Sequence, residues 1–257
     1  MPDGNAGLAG WRFWIDRGGT FTDLVALAPD GRTVVRKVLS EQPEHPGDPA
    51  IRALREVLEL GPAAPLPTGL VEEVRLGTTV ATNALLERRV APVLLLVNRG
   101  LADLPRIGDQ HRPDLFALEI VRPRPLDMRV LEVTGRRAAD GRTLEPLQVD
   151  QALEERIRQA WNDGYRSIAV ALMHAYCHPQ DEIALGTWLE ERGFGPVHLS
   201  HRVSRRARLV PRQATTVVEA ALAPVLAAYL DRLRADLGAG THLRVMTSSG
   251  ALCAPSL

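Results

Sequence analysis

Directly behind the apolar run Trp11-Arg12-Phe13-Trp14-Ile15 stands the octapeptide Asp16-Arg17-Gly18-Gly19-Thr20-Phe21-Thr22-Asp23, and this junction constrains the chain more than any other stretch. The first run is rich in aromatic and β-favouring residues. Leu24-Val25-Ala26-Leu27-Ala28 reads as its return strand, so Gly18-Gly19 is confined to a tight connection. Glycines accept positive φ and present bare N–H groups to an anion, and Thr20 and Thr22 add hydroxyl donors. Asp16, ending the first strand, is directed into the same space. A carboxylate does not face a phosphate favourably unaided, so its expected task is to hold Mg²⁺, directly or through water. Arg17 can neutralise further charge. The same residues also suit an ordinary β-hairpin with solvated polar flanks, because Gly-Gly is a standard hairpin turn.

A second element bears on that choice. Val71 to Leu76 alternates as a strand, and Gly77-Thr78-Thr79 then leads into the helix-forming run Val80-Ala81-Thr82-Asn83-Ala84-Leu85-Leu86. Thr78 and Thr79 suit both helix capping and donation to a ligand at a helix start. Asn83, one turn in, can reach a substrate or cap.

These two motifs, with R-P-D-L-F at Arg112 to Phe116, L-V-P-R-Q-A-T-T-V-V-E-A at Leu209 to Ala220 and M-T-S-S-G at Met246 to Gly250, closely resemble the amino-terminal region of the hydantoinase/oxoprolinase family, over about Trp11 to Leu252. With Arg17 in the first motif the resemblance is strongest to the ATP-dependent 5-oxoprolinase branch. Departures from the family pattern are Asp109, His111 and Ala221. The resemblance implies an α/β fold with a ribonuclease-H-like lobe of the actin, sugar kinase and Hsp70 type over residues 11–125, and an additional α/β lobe over 126–252. It implies ATP and Mg²⁺ as cofactors. Asp16 would be the metal ligand, Arg17, Gly18, Gly19, Thr20 and Thr22 the phosphate contacts, and Thr78, Thr79, Asn83 and Arg112 catalytic or substrate contacts. The implied reaction opens a lactam or cyclic imide, such as 5-oxoproline to glutamate, after phosphorylation of the carbonyl oxygen. Family members continue beyond the equivalent of Leu257, so the implied partners are the second ATP-binding half and a metal-dependent hydrolytic region. A catalytically silent nucleotide-binding or assembly subunit, and the carbonyl-phosphorylating part of a related carboxylase, are the alternative readings.

Composition narrows the rest. Thirty-one Lys+Arg balance 31 Asp+Glu, which gives no electrostatic reason to expect nucleic acid or an anionic membrane. Arg202, Arg205, Arg206 and Arg208 read as solvated surface. Cys177 and Cys253 are too few for a disulfide framework or thiol metal site. The start Met1-Pro2-Asp3-Gly4-Asn5 has no signal-peptide pattern and no apolar run reads as long enough to span a bilayer, so the cytoplasm is the expected compartment. P-loop, H-E-x-x-H, G-x-S-x-G and paired C-x-x-C motifs are absent.

Along the chain, Val34 to Leu39 reads as a third strand, Ala50 to Leu60 as a helix stopped by Gly61-Pro62, and Val90 to Val97 as a buried strand that continues the first lobe. Residues 99–127 are irregular and charged; there Arg112 can clamp a carboxylate or pair with Asp114, and His111 reads as an exposed loop residue. Gln151 to Asn162, Ser167 to His174, Asp181 to Arg192 and Val197 to Ser200 read as helix, strand, helix, strand. His174 and His178 have metal-ligand spacing, but they straddle a strand end and Pro179. Ala214 to Leu237 is a long helix with an apolar stripe, and Leu243 to Thr247 the last strand.

Overall fold

The computed structural model describes residues 10–42, 44, 47–62, 64–109, 114–120 and 124–254. In chain order the elements are β1 (Trp11–Arg17), β2 (Phe21–Leu27), β3 (Thr33–Leu39), α1 (Pro49–Val57), β4 (Val71–Thr78), α2 (Val80–Leu86), β5 (Val93–Asn98), α3 (Leu104–Ile107), β6 (Met128–Arg137), β7 (Thr143–Gln148), α4 (Gln151–Asn162), β8 (Ser167–Ala171), α5 (Gln180–Glu191), β9 (Val197–Leu199), α6 (Ser200–Val203), α7 (Leu209–Leu237), β10 (His242–Met246) and β11 (Leu252–Cys253). They divide into two compact units. One takes the chain as far as Glu87 together with Val225 onward, and the other is Arg88–Pro224.

The first unit is built on a six-stranded sheet of order β11-β10-β4-β1-β2-β3. Strands β1, β2 and β3 run antiparallel, whereas β4 is parallel to β1 and β10 parallel to β4. Three meandering strands followed by two parallel ones is the ribonuclease-H-like order. Phe13, Ile15, Leu24, Ala26, Val74 and Leu76 form one buried face, packed on Ala50 and Leu54 of α1 and on Leu230 and Leu233 of α7. Helix α1 starts where it does because Asp48 accepts from the Ala50 N–H at 2.9 Å and Pro49 occupies the first turn, where its missing N–H costs nothing.

The second unit holds a five-stranded sheet of order β7-β6-β5-β8-β9. Every residue of β5 and β8 is buried, as parallel strands covered on both faces require. Leu94, Leu96, Ile168 and Val170 pack on α4 and α5, whereas Val93, Leu95, Val97, Ala169 and Ala171 pack on Val217, Ala220 and Ala221 of α7.

The domain boundaries differ from the expected 11–125 and 126–252. The fifth strand of the first sheet is β10, not the Val90 to Val97 strand, and Arg88–Pro224 is inserted ahead of it. Burial decides this. A sheet with one covered face accepts an alternating strand, and β10 alternates exposed and buried, whereas β5 is apolar in both directions and needs cover on both. The β6–β7 pair and β11 were not foreseen. Helix α7 is, among the described residues, the one element long and apolar enough to cross a membrane by length and composition, contrary to the reading of the sequence. Its apolar residues are spent on the two cores, and it buries Arg212 completely.

Candidate phosphate corner

The β1–β2 hairpin and the β4–α2 corner meet because β1 lies between β2 and β4. The register sets Asp16 beside Asp23 on one side and Gly77 on the other. Asp16 is exposed, and among the described residues its carboxylate has no ion-pair partner. Asp23 is neutralised by Lys37, whose Nζ lies 2.7 and 2.9 Å from the two carboxylate oxygens. A Cβ placed on Gly77 would stand 3.5 Å from Asp16 Oδ1, so the missing side chain keeps the space beside that carboxylate open.

The turn is tight for a reason other than the one expected. Neither Gly18 nor Gly19 takes a positive φ. Space excludes side chains instead: a Cβ on Gly18 would lie 2.8 Å from the Phe21 carbonyl oxygen, and one on Gly19 3.1 Å from Asn83 Nδ2. The Gly18 N–H closes the hairpin on the Phe21 carbonyl at 3.0 Å and is not free for an anion. The N–H groups of Gly19 and Thr20 at the exposed tip are the ones left to face a ligand, with the Asn83 amide beside them.

Thr22 is fully buried. The Ser40 hydroxyl donates to the Gly18 carbonyl at 2.7 Å, so the Thr22 hydroxyl, 3.0 Å away, must donate to Ser40. Thr22 therefore braces the turn from beneath, and its one proton is not available to a phosphate. Thr79 gives its N–H (3.0 Å) and hydroxyl (3.3 Å) to the Arg17 carbonyl, tying the corner to β1, and Thr78 Oγ1 accepts from the Val80 N–H at 3.2 Å. The α2 cap is thus supplied by Thr78 rather than by the Thr79 side chain.

Arg17 points the other way. Successive strand residues face opposite sides of a sheet, and its Nε sits 3.3 Å from Asp48 Oδ2 with the guanidinium 5.1 Å over the Tyr229 ring. Burial raises the Asp48 carboxyl above the usual carboxylate range, and Arg17 partly opposes the shift. Burial likewise raises the Tyr229 phenol; its hydroxyl approaches Asp48 and Thr78 without closing a hydrogen bond. Arg17 is therefore not a contact of the Asp16 corner. Ser40 and Tyr229 carried no local signal, since each acts through a partner distant in sequence, and the local pattern of Asp48 marks it as the α1 cap but not as the partner of Arg17.

Arg112 and His111 lie outside the described residues. His178 Nε2 is 3.1 Å from the Ala139 carbonyl, and no cluster of three or more potential metal ligands occurs among the described residues. A lone exposed carboxylate beside free N–H groups and a glycine gap does not form a protein cage for a cation. It fits Mg²⁺ held mostly by water and phosphate oxygens, which is how that ion commonly binds.

Sheet order and corner together define a ribonuclease-H-like lobe of the actin, sugar kinase and Hsp70 type. The chain belongs to the hydantoinase/oxoprolinase family, whose N-terminal region matches residues 12–193. It is 36% identical to 5-oxoprolinase 1 of Arabidopsis thaliana, with 95% of this chain and 22% of that protein covered. It is 30% identical to the caprolactamase subunit alpha of Pseudomonas jessenii, with 94% and 36% covered. The crystal structure of the ATP-dependent caprolactamase from that organism superposes with a TM-score of 0.72 at 30% identity, and nucleotide-free acetone carboxylase with 0.66 at 25%; each covers 94% of this chain and 36% of the other. The chain thus spans between about a fifth and about a third of the length of these relatives.

Proposed function

We propose that this chain is the N-terminal part of an ATP-dependent cyclic-amide hydrolase of the 5-oxoprolinase type, opening 5-oxoproline to glutamate in glutathione metabolism in the cytoplasm. The observation that carries the reading is the shared corner of Asp16, the Gly19–Thr20 tip and Asn83, with Gly77 leaving room beside the carboxylate. Gly19 and Thr20 N–H groups take phosphate oxygens, Asp16 orients a water-bound Mg²⁺, and Asn83 fixes the turn. ATP, when bound, would supply the phosphoryl group that activates the amide carbonyl toward hydrolytic cleavage of its C–N bond. The chain's own work is positioning and charge neutralisation. The relatives' greater length supports partners that complete the ATP cleft and carry a metal-dependent hydrolytic region. Nucleic acid and membrane are not among the partners proposed. The similarity to acetone carboxylase favours one second reading, a carbonyl-phosphorylating part of a carboxylase.

The test is 5-oxoproline-dependent phosphate release by this chain combined with candidate partner polypeptides, alongside Mg-ATP binding. Asp16→Ala is expected to lower release on the order of 10²-fold or more. Full activity in that variant removes Asp16 from the site. No release with any partner, together with no Mg-ATP binding, rejects the catalytic reading.

A further inference from the structure

One row of the β2–β3 hairpin, Leu24 and Ala26 with Val34 and Val38, packs into the core of the first unit. The opposite face of an antiparallel pair is expected to carry polar residues where water covers it. Here it does not. The register pairs Phe21 with Leu39 and Val25 with Val35, and these four side chains are 44%, 42%, 39% and 63% exposed. Between the two apolar rows lies one charged row, Asp23 with Lys37, joined at 2.7 and 2.9 Å with both side chains more than half exposed.

Each row is complementary to itself across the line between the two strands. The outer rows set apolar beside apolar, and the middle row sets an anion beside a cation. A two-fold axis along that line, lying in the plane of contact, turns the face onto its own copy and exchanges β2 for β3. Phe21 then meets the partner's Leu39, Val25 the partner's Val35 and Asp23 the partner's Lys37, each contact occurring twice, as an isologous interface requires. A partner of another kind has no need of that symmetry. Strand β1 lies on the far side of β2 from the axis and overlies neither facing strand, so Asp16 stays open. We propose that this chain self-associates through the outer face of β2 and β3, with a second copy as the occupant. Exposed apolar rows rimmed by charge mark such surfaces, and two strands from each copy make a small contact, so the association is weak and concentration-dependent. The inference stands on three rows of one hairpin, not on the nucleotide reading of the corner.

The full chain is followed by sedimentation velocity from micromolar to millimolar concentration, where the parent should pass from monomer to dimer. Val35→Asp puts a charge into an apolar row and should raise the dissociation constant about tenfold or more, while the position, exposed in the single chain, tolerates the change. The charged row gives the sharper test. Asp23→Lys presents lysine to lysine across the axis and Lys37→Asp presents aspartate to aspartate, so each variant alone should be monomeric. An equimolar mixture of the two sets a cation opposite an anion at both crossings and should form the mixed dimer, although the repulsion within each hairpin is unchanged. A parent that stays monomeric throughout overturns the proposal, including the case in which a different polypeptide binds these strands. So does a dimer that survives Val35→Asp, or a mixture that associates no more than its two components.

Discussion

Gly18 and Gly19 are adjacent in the same turn, yet alanine should be tolerated very differently at the two. At Gly18 the added Cβ would sit 2.8 Å from a backbone oxygen, that of Phe21, which also accepts the hairpin-closing hydrogen bond at 3.0 Å. Backbone cannot swing aside, so relief requires opening the turn and loosening the Ser40 brace on the Gly18 carbonyl. Overpacking of this kind costs about 1–3 kcal/mol. At Gly19 the Cβ meets Asn83 Nδ2 at 3.1 Å, the far end of a side chain that can rotate by a few tenths of an ångström, and the expected cost is below about 1 kcal/mol. The assay is urea unfolding of each variant and of Gly19→Ala/Asn83→Ala. We predict Gly18→Ala to be the most destabilised, Gly19→Ala mildly so, and the double variant to show that the Gly19 penalty vanishes once the amide is removed. Gly18→Ala as stable as the parent, or a Gly19 penalty unchanged without Asn83, would refute the packing account of this turn.

Thr22→Val removes the hydroxyl that donates to Ser40 and should cost about 1 kcal/mol in urea unfolding while leaving Mg-ATP affinity within about twofold; a large affinity loss at unchanged stability would return Thr22 to the ligand site. Glu182, fully buried, accepts from the Leu172 N–H, the Ser200 hydroxyl, and the N–H and Nδ1 of His201, while buried Arg212 donates to the same Ser200 oxygen. Glu182→Ala strands those donors and the Arg212 charge, for an expected loss of about 3–5 kcal/mol in denaturant unfolding, and a loss under about 1 kcal/mol would contradict it. Burial lowers the His198 pKa, with Glu219 partly opposing. The unfolded imidazole therefore takes its proton first as pH falls below about 6.5. The stability His198 contributes is present above that pH and lost on acidification toward its folded value. His198→Gln should flatten the fall of Tm between about pH 7 and 5, and an unchanged slope would exclude His198 as its source.

Elements whose signals are local were legible. Helix α4 begins and ends as read from Gln151 to Asn162, because Asp150 caps the Leu153 N–H at 2.8 Å and Asp163-Gly164 follows the last turn. The partner of a strand is not a local property. Val90 to Val97 and Leu243 to Thr247 were both read as strands, but no pattern within either names its sheet, and only the demand of β5 for two covered faces assigns it to the inserted unit. Three site residues were misassigned for reasons the chain did contain. Asp16 and Arg17 are neighbours on one strand, so a two-residue period forbids both from facing one ligand. Thr22 shares parity with Leu24 and Ala26, which lie in the buried row. Gly18 looked like an anion donor, but a two-residue turn spends the N–H before the bend on its own closure.

That parity also explains how one hairpin can serve two purposes without conflict. One row, Phe13, Ile15, Thr22, Leu24 and Ala26, anchors β1 and β2 in the core, and Thr22 through Ser40 holds the Gly18 carbonyl from that side. The other row carries Asp16 and Asp23, with Lys37 cancelling the second charge so that the carboxylate next to Gly77 is the one left uncompensated. On the proposed reading, a cation-bridged anion would neutralise Asp16 there. The braced backbone beneath it fixes where the Gly19 and Thr20 N–H groups point before any ligand arrives, and a donor already in place loses no further conformational freedom on binding.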